Sequence, residues 1–113
     1  MGRLTTHVLD TARGCPAAGL VFQLRRDGVV LKSGRTNADG RVDAPLLEGE
    51  ALTPGTYELE FACADYFRAA GVAVSEPPFL DLVTLRFGVA DAGAHYHVPL
   101  LVSPWSYSTY RGS

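Results

Sequence analysis

Lysine is almost absent from the sequence, and positive charge is not concentrated anywhere along it. Lys32 is the only lysine, the other basic residues are scattered arginines, and the formal net charge is -2. A nucleic-acid-binding protein normally carries a basic patch or stripe that attracts the phosphate backbone. We therefore expect no nucleic acid among the partners of this chain.

Cysteine is also scarce, and long hydrophobic runs are missing. Cys15 and Cys63 show neither a CxxC nor a Cys/His zinc spacing, so we interpret them as free thiols, although the sequence leaves a disulfide open. No run approaches the roughly 20 apolar residues of a membrane span. The first residues lack the basic-then-apolar pattern of a secretory signal. These absences predict a cytoplasmic protein that makes no contact with a membrane.

Several catalytic signatures are absent too. The sequence has no Gly-rich phosphate loop, no GxSxG elbow and no cysteine paired with a histidine by a local motif. The spacing of its three histidines does not predict a zinc site, although His95 and His97 share one strand face and could bind a metal adventitiously. We expect no covalent nucleophile, no metal and no organic cofactor.

Alternation of apolar and polar residues is what the sequence has in abundance. Short alternating runs separated by Gly, Pro, Asn and Asp predict half-buried antiparallel strands. Eight strands are predicted, at 4–10, 19–26, 29–36, 41–46, 56–63, 81–88, 95–102 and 105–110. Asp27-Gly28 predicts a hairpin turn, and 64–70 predicts a short helix that ends at Gly71. The expected fold is one all-β domain over 1–113, a sandwich of two sheets with one short helix.

Alternation also divides the strand residues between two faces of each sheet. The apolar face of the run 95–102 consists of Tyr96, Val98, Leu100 and Val102, and its outward face carries His95, His97, Pro99 and Leu101. In the run 4–9, Thr5, His7 and Leu9 share one face. The outward set is too apolar for an ordinary solvated surface and indicates an interface or a ligand groove. If two subunits face each other there, His7 and His97 can meet in one cleft.

Taken singly, these residues are more typical of structure than of catalysis. A strand histidine is usually a structural residue, and Arg41 follows a predicted tight turn at 37–40, where a solvated arginine is common. Asp10 is interpreted as a turn-capping carboxylate rather than a general base. The sequence ends in Tyr110-Arg111-Gly112-Ser113, directly after a strand-like run. Chain ends are usually frayed, but this one continues a strand-like run to its last residue. We therefore expect the tetrapeptide to be held in a defined place.

Five segments together resemble the transthyretin-like family, and specifically its members that hydrolyse 5-hydroxyisourate in urate degradation. The segments are 4–10 (LTTHVLD), 13–17 (RGCPA), 35–41 (RTNADGR), 95–101 (HYHVPLL) and 106–113 (SYSTYRGS). The resemblance implies a sandwich of two four-stranded sheets with a short helix. It also implies a homotetramer whose active sites lie in a channel between subunits. The implied product is 2-oxo-4-hydroxy-4-carboxy-5-ureidoimidazoline.

The same resemblance assigns candidate roles by position. His7, Arg41, His97 and Ser113 fall on the family's catalytic positions, and Tyr110, Arg111 and Gly112 complete its terminal signature as substrate-binding residues. The two histidines would share the proton transfers, in an order that the sequence leaves open, and Ser113 would act through its hydroxyl or its carboxylate. Two alternatives remain: a noncatalytic small-molecule carrier that uses the same channel, as transthyretin does, and a structural interaction module.

Overall fold

The computed structural model describes residues 1–112, and they form two β-sheets and one short helix. The first sheet contains β1 (Arg3–Asp10), β2 (Cys15–Pro16), β5 (Leu47–Glu48), β8 (His95–Val102) and β9 (Tyr107–Thr109). The second has the strand order β4 (Val29–Arg35), β3 (Val21–Arg26), β6 (Gly55–Ala62) and β7 (Leu82–Val89). A 3₁₀ helix spans Gly49–Ala51 and α1 spans Cys63–Ala69. The predicted two-sheet sandwich with one short helix is confirmed.

The second sheet forms from antiparallel neighbours, as the sequence predicts. Asp27 and Gly28 both adopt positive φ, 51° and 78°, which is the conformation of a two-residue hairpin turn whose twist matches the strands. That turn joins β3 to β4, and β6 pairs with β3 on one side and with β7 on the other. The predicted helix is also confirmed, because Gly71 has φ +79° after α1 and its N–H donates to the carbonyl of Arg68.

The first sheet differs from the prediction in its central pair of strands. β1 and β8 are parallel, with a continuous register from Arg3 beside His95 to Asp10 beside Val102. The expectation of antiparallel strands throughout is therefore wrong for this pair. As a result of this parallel pairing, two segments about 90 residues apart in the chain lie side by side over their full length.

The predicted strand at 41–46 is not formed. Arg41 makes one isolated antiparallel bridge with His7, and the pairing with β1 resumes only at the short strand β5. One reason is Asn37, whose side-chain oxygen accepts hydrogen bonds from the N–H groups of Asp39 and Arg41 and so continues the turn. Another is Pro45, which has no N–H to donate to a ladder. The first sheet has five strands, whereas four were predicted, and two of the five, β2 and β5, are only two residues long.

The core lies between the two sheets and under α1, and its residues come from the alternation that predicted the strands. The largest fully buried side chains are Tyr57, Phe22, Phe61, Phe67, Leu4, Leu20, Leu24, Leu59, Leu100, Val8, Val83 and Val102. Since the inward residues of β1 and β8 are buried here, Thr5, His7, His95 and His97 face the opposite side of the first sheet. Within residues 1–112, no helix has the length and apolar character needed to cross a membrane.

Asp10 is a fully buried carboxylate at the end of β1, and it has a complete set of partners. Arg13 donates to it from Nε and from its backbone N–H, both at 2.9 Å, and the hydroxyl of Tyr66 donates at 2.8 Å. Burial alone would raise the pKa of the Asp10 carboxyl, but these hydrogen bonds and the charge of Arg13 outweigh it and lower the pKa. Asp10 caps the turn, as expected, and fastens β1 to α1.

Both cysteines are free thiols. Cys15 is half-buried in β2, and Cys63 is buried at the start of α1. Burial raises the pKa of the Cys63 thiol to about 12, which keeps it protonated and unreactive at neutral pH.

Candidate active site

His7 and His97 meet within a single chain, on the outward face of the first sheet. The parallel register places Thr5 beside His97 and His7 beside Pro99, so the two histidines are offset by two residues on neighbouring strands. Their rings stack with centroids 4.8 Å apart, and Nδ1 of His7 is 2.6 Å from Nε2 of His97. A second subunit is therefore not needed to bring the predicted histidines together.

Thr5 and His95 belong to the same group of side chains, although neither was predicted as a catalytic or substrate-binding residue. The hydroxyl of Thr5 lies 2.7 Å from Nδ1 of His97 and 2.8 Å from Nε2 of His95. Alternation puts Thr5 on the face of His7 and His95 on the face of His97. The missing information was the register between β1 and β8, which local sequence does not contain.

Arg41 reaches this face because the turn before it is packed tightly against β1. The N–H of Val8 donates to the carbonyl of Gly40 at 2.8 Å, and Arg41 forms its bridge to His7 directly afterwards. Gly40 is required here on two grounds: its φ is +72°, and a Cβ at this position would lie 2.5 Å from the carbonyl oxygen of Val8. Arg41 itself is exposed, so its guanidinium remains accessible to a ligand.

The environment of the two histidines favours their neutral forms. Burial lowers the pKa of His7, and the nearby charge of Arg41 lowers it further. For His97, burial again has the largest effect in lowering the pKa, followed by the charges of His7, Arg41 and His95. A neutral imidazole has a lone pair and can accept a proton near neutral pH, as a general base must.

The C-terminal segment lies across the other side of His97. Gly112 pairs with His97 in an isolated bridge, and its N–H donates to the His97 carbonyl at 2.7 Å. The guanidinium carbon of Arg111 lies 4.1 Å from the centre of the Tyr96 ring, a cation–π contact, and Tyr110 is exposed. Ser113, the remaining predicted site residue, lies outside the residues that the structure describes.

Two open clefts adjoin the pair His95 and His97. One, of about 400 Å³, is lined by residues that include Thr5, Arg41 and Asp43; the other, of about 710 Å³, is lined by Tyr110, Arg111 and Gly112. Imidazole nitrogens and an accessible guanidinium can together hold a flat ligand rich in carbonyl groups and move protons on it. No group of three His, Cys, Asp or Glu side chains positioned to hold a metal ion occurs in residues 1–112.

The chain is similar to two hydrolases and to a transthyretin. It is 68% identical, in an alignment of 119 positions that covers both chains completely, to the 5-hydroxyisourate hydrolase of Ralstonia nicotianae. The solved 5-hydroxyisourate hydrolase of Klebsiella pneumoniae is 34% identical with a TM-score of 0.85, and both chains are covered completely. Sea bream transthyretin in complex with thyroxine is 27% identical with a TM-score of 0.83, over 97% of this chain and 94% of that one.

A third solved structure is longer than this chain. It is an (S)-allantoin synthase, 48% identical with a TM-score of 0.94; the match covers 99% of this chain and 44% of that chain. The family model described as "HIUase/Transthyretin family" matches residues 4–112. Since both the family model and a highly identical relative span nearly all of the sequence, the chain belongs to the HIUase/Transthyretin family.

Proposed function

We propose that this chain hydrolyses 5-hydroxyisourate to 2-oxo-4-hydroxy-4-carboxy-5-ureidoimidazoline, a step of urate degradation in purine metabolism. The observation that carries the proposal is the hydrogen-bonded pair His7 and His97 next to Arg41, in a chain that is 68% identical to a 5-hydroxyisourate hydrolase over its full length. A carrier needs no pair of neutral imidazoles in its ligand site, whereas hydrolysis needs a base and a route for the proton.

His7 is the better candidate for the base that activates water. Both nitrogens of His97 are within hydrogen-bond distance of protein atoms, Nδ1 of the Thr5 hydroxyl and Nε2 of His7. Among residues 1–112, His7 makes its side-chain hydrogen-bond contact through Nδ1 alone, which leaves Nε2 for a water molecule. His97 then accepts the hydrogen bond of the His7 ring and orients it, as the partner of a general base does.

Arg41 and the terminal segment would bind the substrate. The planar guanidinium of Arg41 can donate two parallel hydrogen bonds to adjacent carbonyl groups and stabilise the negative charge that develops when hydroxide adds to one of them. Tyr110, Arg111 and Gly112 line the neighbouring cleft and would contact the flat ring. Ser113, through its hydroxyl or its carboxylate, would orient the substrate or the water. No metal or organic cofactor enters this scheme.

We further propose that the protein is a cytoplasmic homotetramer. Aromatic side chains support association, since Trp105, Tyr107 and Tyr110 are 58%, 46% and 58% exposed along the terminal segment. The two free thiols are compatible with a reducing compartment. Sedimentation that shows only a stable, fully active monomer at micromolar concentration would refute the tetramer.

The direct test is hydrolysis of freshly prepared 5-hydroxyisourate, followed by the loss of its ultraviolet absorbance. We expect the protein to accelerate the loss well above the spontaneous rate, and His7→Asn to abolish most of the acceleration in a folded protein. Binding without acceleration would indicate a carrier, and neither binding nor acceleration would indicate a structural module.

The role of Ser113 requires its own comparison. Deleting Ser113, or extending the chain past it with a tag, should reduce hydrolysis strongly and leave thermal stability nearly unchanged, because the core strands are untouched. An N-terminal tag is the matched control and should be tolerated better. Equal rates for the C-terminally and N-terminally tagged proteins would remove Ser113 from the site.

A further inference from the structure

Four side chains on β1 and β8 form an unbroken series of close contacts between polar atoms. Nε2 of His95 lies 2.8 Å from the Thr5 hydroxyl, which lies 2.7 Å from Nδ1 of His97, and Nε2 of His97 lies 2.6 Å from Nδ1 of His7. We call these four residues the imidazole chain. The function proposed above gives no role to Thr5 or to His95.

The number of available protons limits how the imidazole chain can be arranged. The Thr5 hydroxyl has one proton, so at most one of the two histidine nitrogens beside it can accept that proton, and the other must donate its own. A neutral imidazole carries a proton on one nitrogen and a lone pair on the other. For Nε2 of His7 to accept a proton from water, the His7 proton must therefore be on Nδ1.

That requirement determines every other proton in the series. Nδ1–H of His7 donates to Nε2 of His97, so the proton of His97 is on Nδ1 and is donated to the oxygen of Thr5. The Thr5 hydroxyl then donates to Nε2 of His95, whose own proton is on Nδ1. All contacts in the series point in one direction, from His7 toward His95.

We propose that Thr5 is a positioning residue that fixes His97 in the Nδ1–H tautomer, and that His95 is the far end of a proton relay that begins at His7. This proposal rests on the hydrolytic function proposed above. It adds two residues to the site and distinguishes the roles of the three histidines, since His7 takes the proton, His97 passes it on, and His95 stores it.

The relay step balances in protons and charge. The O–H bond of water breaks as its oxygen bonds to the attacked carbonyl carbon, and the water proton bonds to Nε2 of His7. The Nδ1 proton of His7 moves to Nε2 of His97, the Nδ1 proton of His97 to the oxygen of Thr5, and the hydroxyl proton of Thr5 to Nε2 of His95. His7 and His97 end neutral, and His95 becomes an imidazolium. The reverse shift returns one proton to the ring nitrogen that departs.

Thr6, the next residue of β1, provides a matched control. Its side chain is buried on the opposite face, where its hydroxyl donates to the carbonyl of Val98 at 2.7 Å. Thr5 and Thr6 thus each join β1 to β8 through a hydroxyl group, but only Thr5 contacts histidines. Replacing either residue by valine removes a hydroxyl and keeps the β-branched shape, so the two variants separate catalysis from strand pairing.

The experiment compares steady-state kinetics of Thr5→Val, Thr5→Ser, Thr6→Val and His95→Asn with the unmodified protein. Loss of the hydrogen-bond partner that fixes the tautomer of a metal-bound histidine typically costs roughly 10- to 100-fold in activity, and we expect a loss of the same order for His97. We expect Thr5→Val to lose kcat by that factor with little change in KM, Thr5→Ser to recover most of it, and Thr6→Val to keep its kcat. Unchanged kcat in Thr5→Val overturns the role of Thr5, and unchanged kcat in His95→Asn overturns the role of His95. Equal losses in Thr5→Val and Thr6→Val also overturn the proposal.

A second measurement does not depend on turnover. With ¹⁵N-labelled histidine, NMR distinguishes a protonated ring nitrogen from one with a lone pair. The unmodified protein should show His97 as a single Nδ1–H tautomer at neutral pH, and Thr5→Val should show a mixture. A mixture, or the other tautomer, in the unmodified protein overturns the proposal. If the protein fails to hydrolyse 5-hydroxyisourate while His97 is a fixed Nδ1–H tautomer, the proposed function fails and the positioning by Thr5 stands.

Discussion

Replacing Gly112 by alanine should impair catalysis with little effect on folding, because the added methyl group would press directly on His97. A Cβ at residue 112 would lie 2.9 Å from Cδ2 of His97, 3.2 Å from its Cβ and 3.3 Å from its Cγ. Carbon atoms in ordinary contact are about 3.5–4.0 Å apart, so one of the two groups must move by about 0.6 Å. The backbone of Gly112 is held by its hydrogen bond to the His97 carbonyl, which favours movement of the ring.

A ring displacement of that size would disturb the contact between His97 and His7. His97 and His7 already stand in a 2.6 Å contact, and the methyl group would press on His97 from the side opposite β1, so the ring must tilt out of its hydrogen-bond alignment with His7. Misplacement of reacting groups by about 1 Å can cost 100-fold in rate, so we expect kcat to fall by roughly 10- to 100-fold. The free energy of unfolding should change by less than about 1 kcal/mol, because residue 112 lies beyond the core strands.

The assay is the initial rate of 5-hydroxyisourate loss, combined with thermal unfolding of the same samples. Gly88→Ala is the matched control, since it adds the same methyl group in β7, where a Cβ would meet no atom within 4 Å. An unchanged kcat in Gly112→Ala would refute the reasoning that the terminal segment sets the position of His97. So would an equal loss of kcat in Gly88→Ala.

Three further predictions concern charge. Arg41→Lys should lose most activity in a folded protein, because lysine keeps the charge but not the bidentate geometry. The control variant Arg35→Lys, on the other side of the same turn, should stay active, and equal activities of the two variants would exclude Arg41 from the site. The pKa values of His7 and His97 are lowered from the ordinary histidine value of 6.5, so kcat/KM measured against pH should fall on the acid side with a midpoint below pH 6.5. A midpoint at or above pH 6.5 would contradict this prediction. Asp10→Asn should lower the free energy of unfolding by about 2 kcal/mol in denaturant titrations, since it removes the charge from a buried hydrogen-bond network, and no loss would contradict that role.

The same lowered pKa values make the folded protein less stable in mild acid than at neutral pH. Below pH 6.5 the unfolded chain binds protons at His7 and His97 that the folded chain does not bind, so the free energy of unfolding decreases as the pH falls. The loss continues until the folded pKa values are reached, where both states are protonated. Thermal unfolding between neutral pH and mild acid measures it directly.

Local sequence was sufficient to predict most strands and the division of their residues into two faces. Alternation identified Tyr96, Val98, Leu100 and Val102 as buried residues of β8, but it placed Pro99 on the outward face, where the structure also buries it. The Asp27-Gly28 pair identified its hairpin. The strand predicted at 41–46 is not formed, although its residues alternate, because the Asn37 side chain caps the turn before it and Pro45 has no N–H to donate to a neighbouring strand. Periodicity describes how a segment would lie in a sheet, but it does not say whether a neighbouring strand is available to pair with it.

The candidate site could be predicted only in part for a related reason. His7, Arg41 and His97 were identified through resemblance to a family, and the structure brings them together. Thr5 and His95 were on the predicted outward faces, but their contact depends on the parallel register of β1 and β8, a property of two distant segments. No local pattern contains it.

The parallel pairing of β1 with β8 also affects when the site can exist during synthesis. His7 leaves the ribosome about 90 residues before His97, so the β1 segment must wait for its partner while the second sheet is already able to fold. Pairing then closes a very long loop, and contacts of such large sequence separation are characteristic of slow-folding β proteins. The histidine pair is therefore assembled late, and a chain interrupted before β8 carries His7 and Arg41 without the His97 that contacts His7.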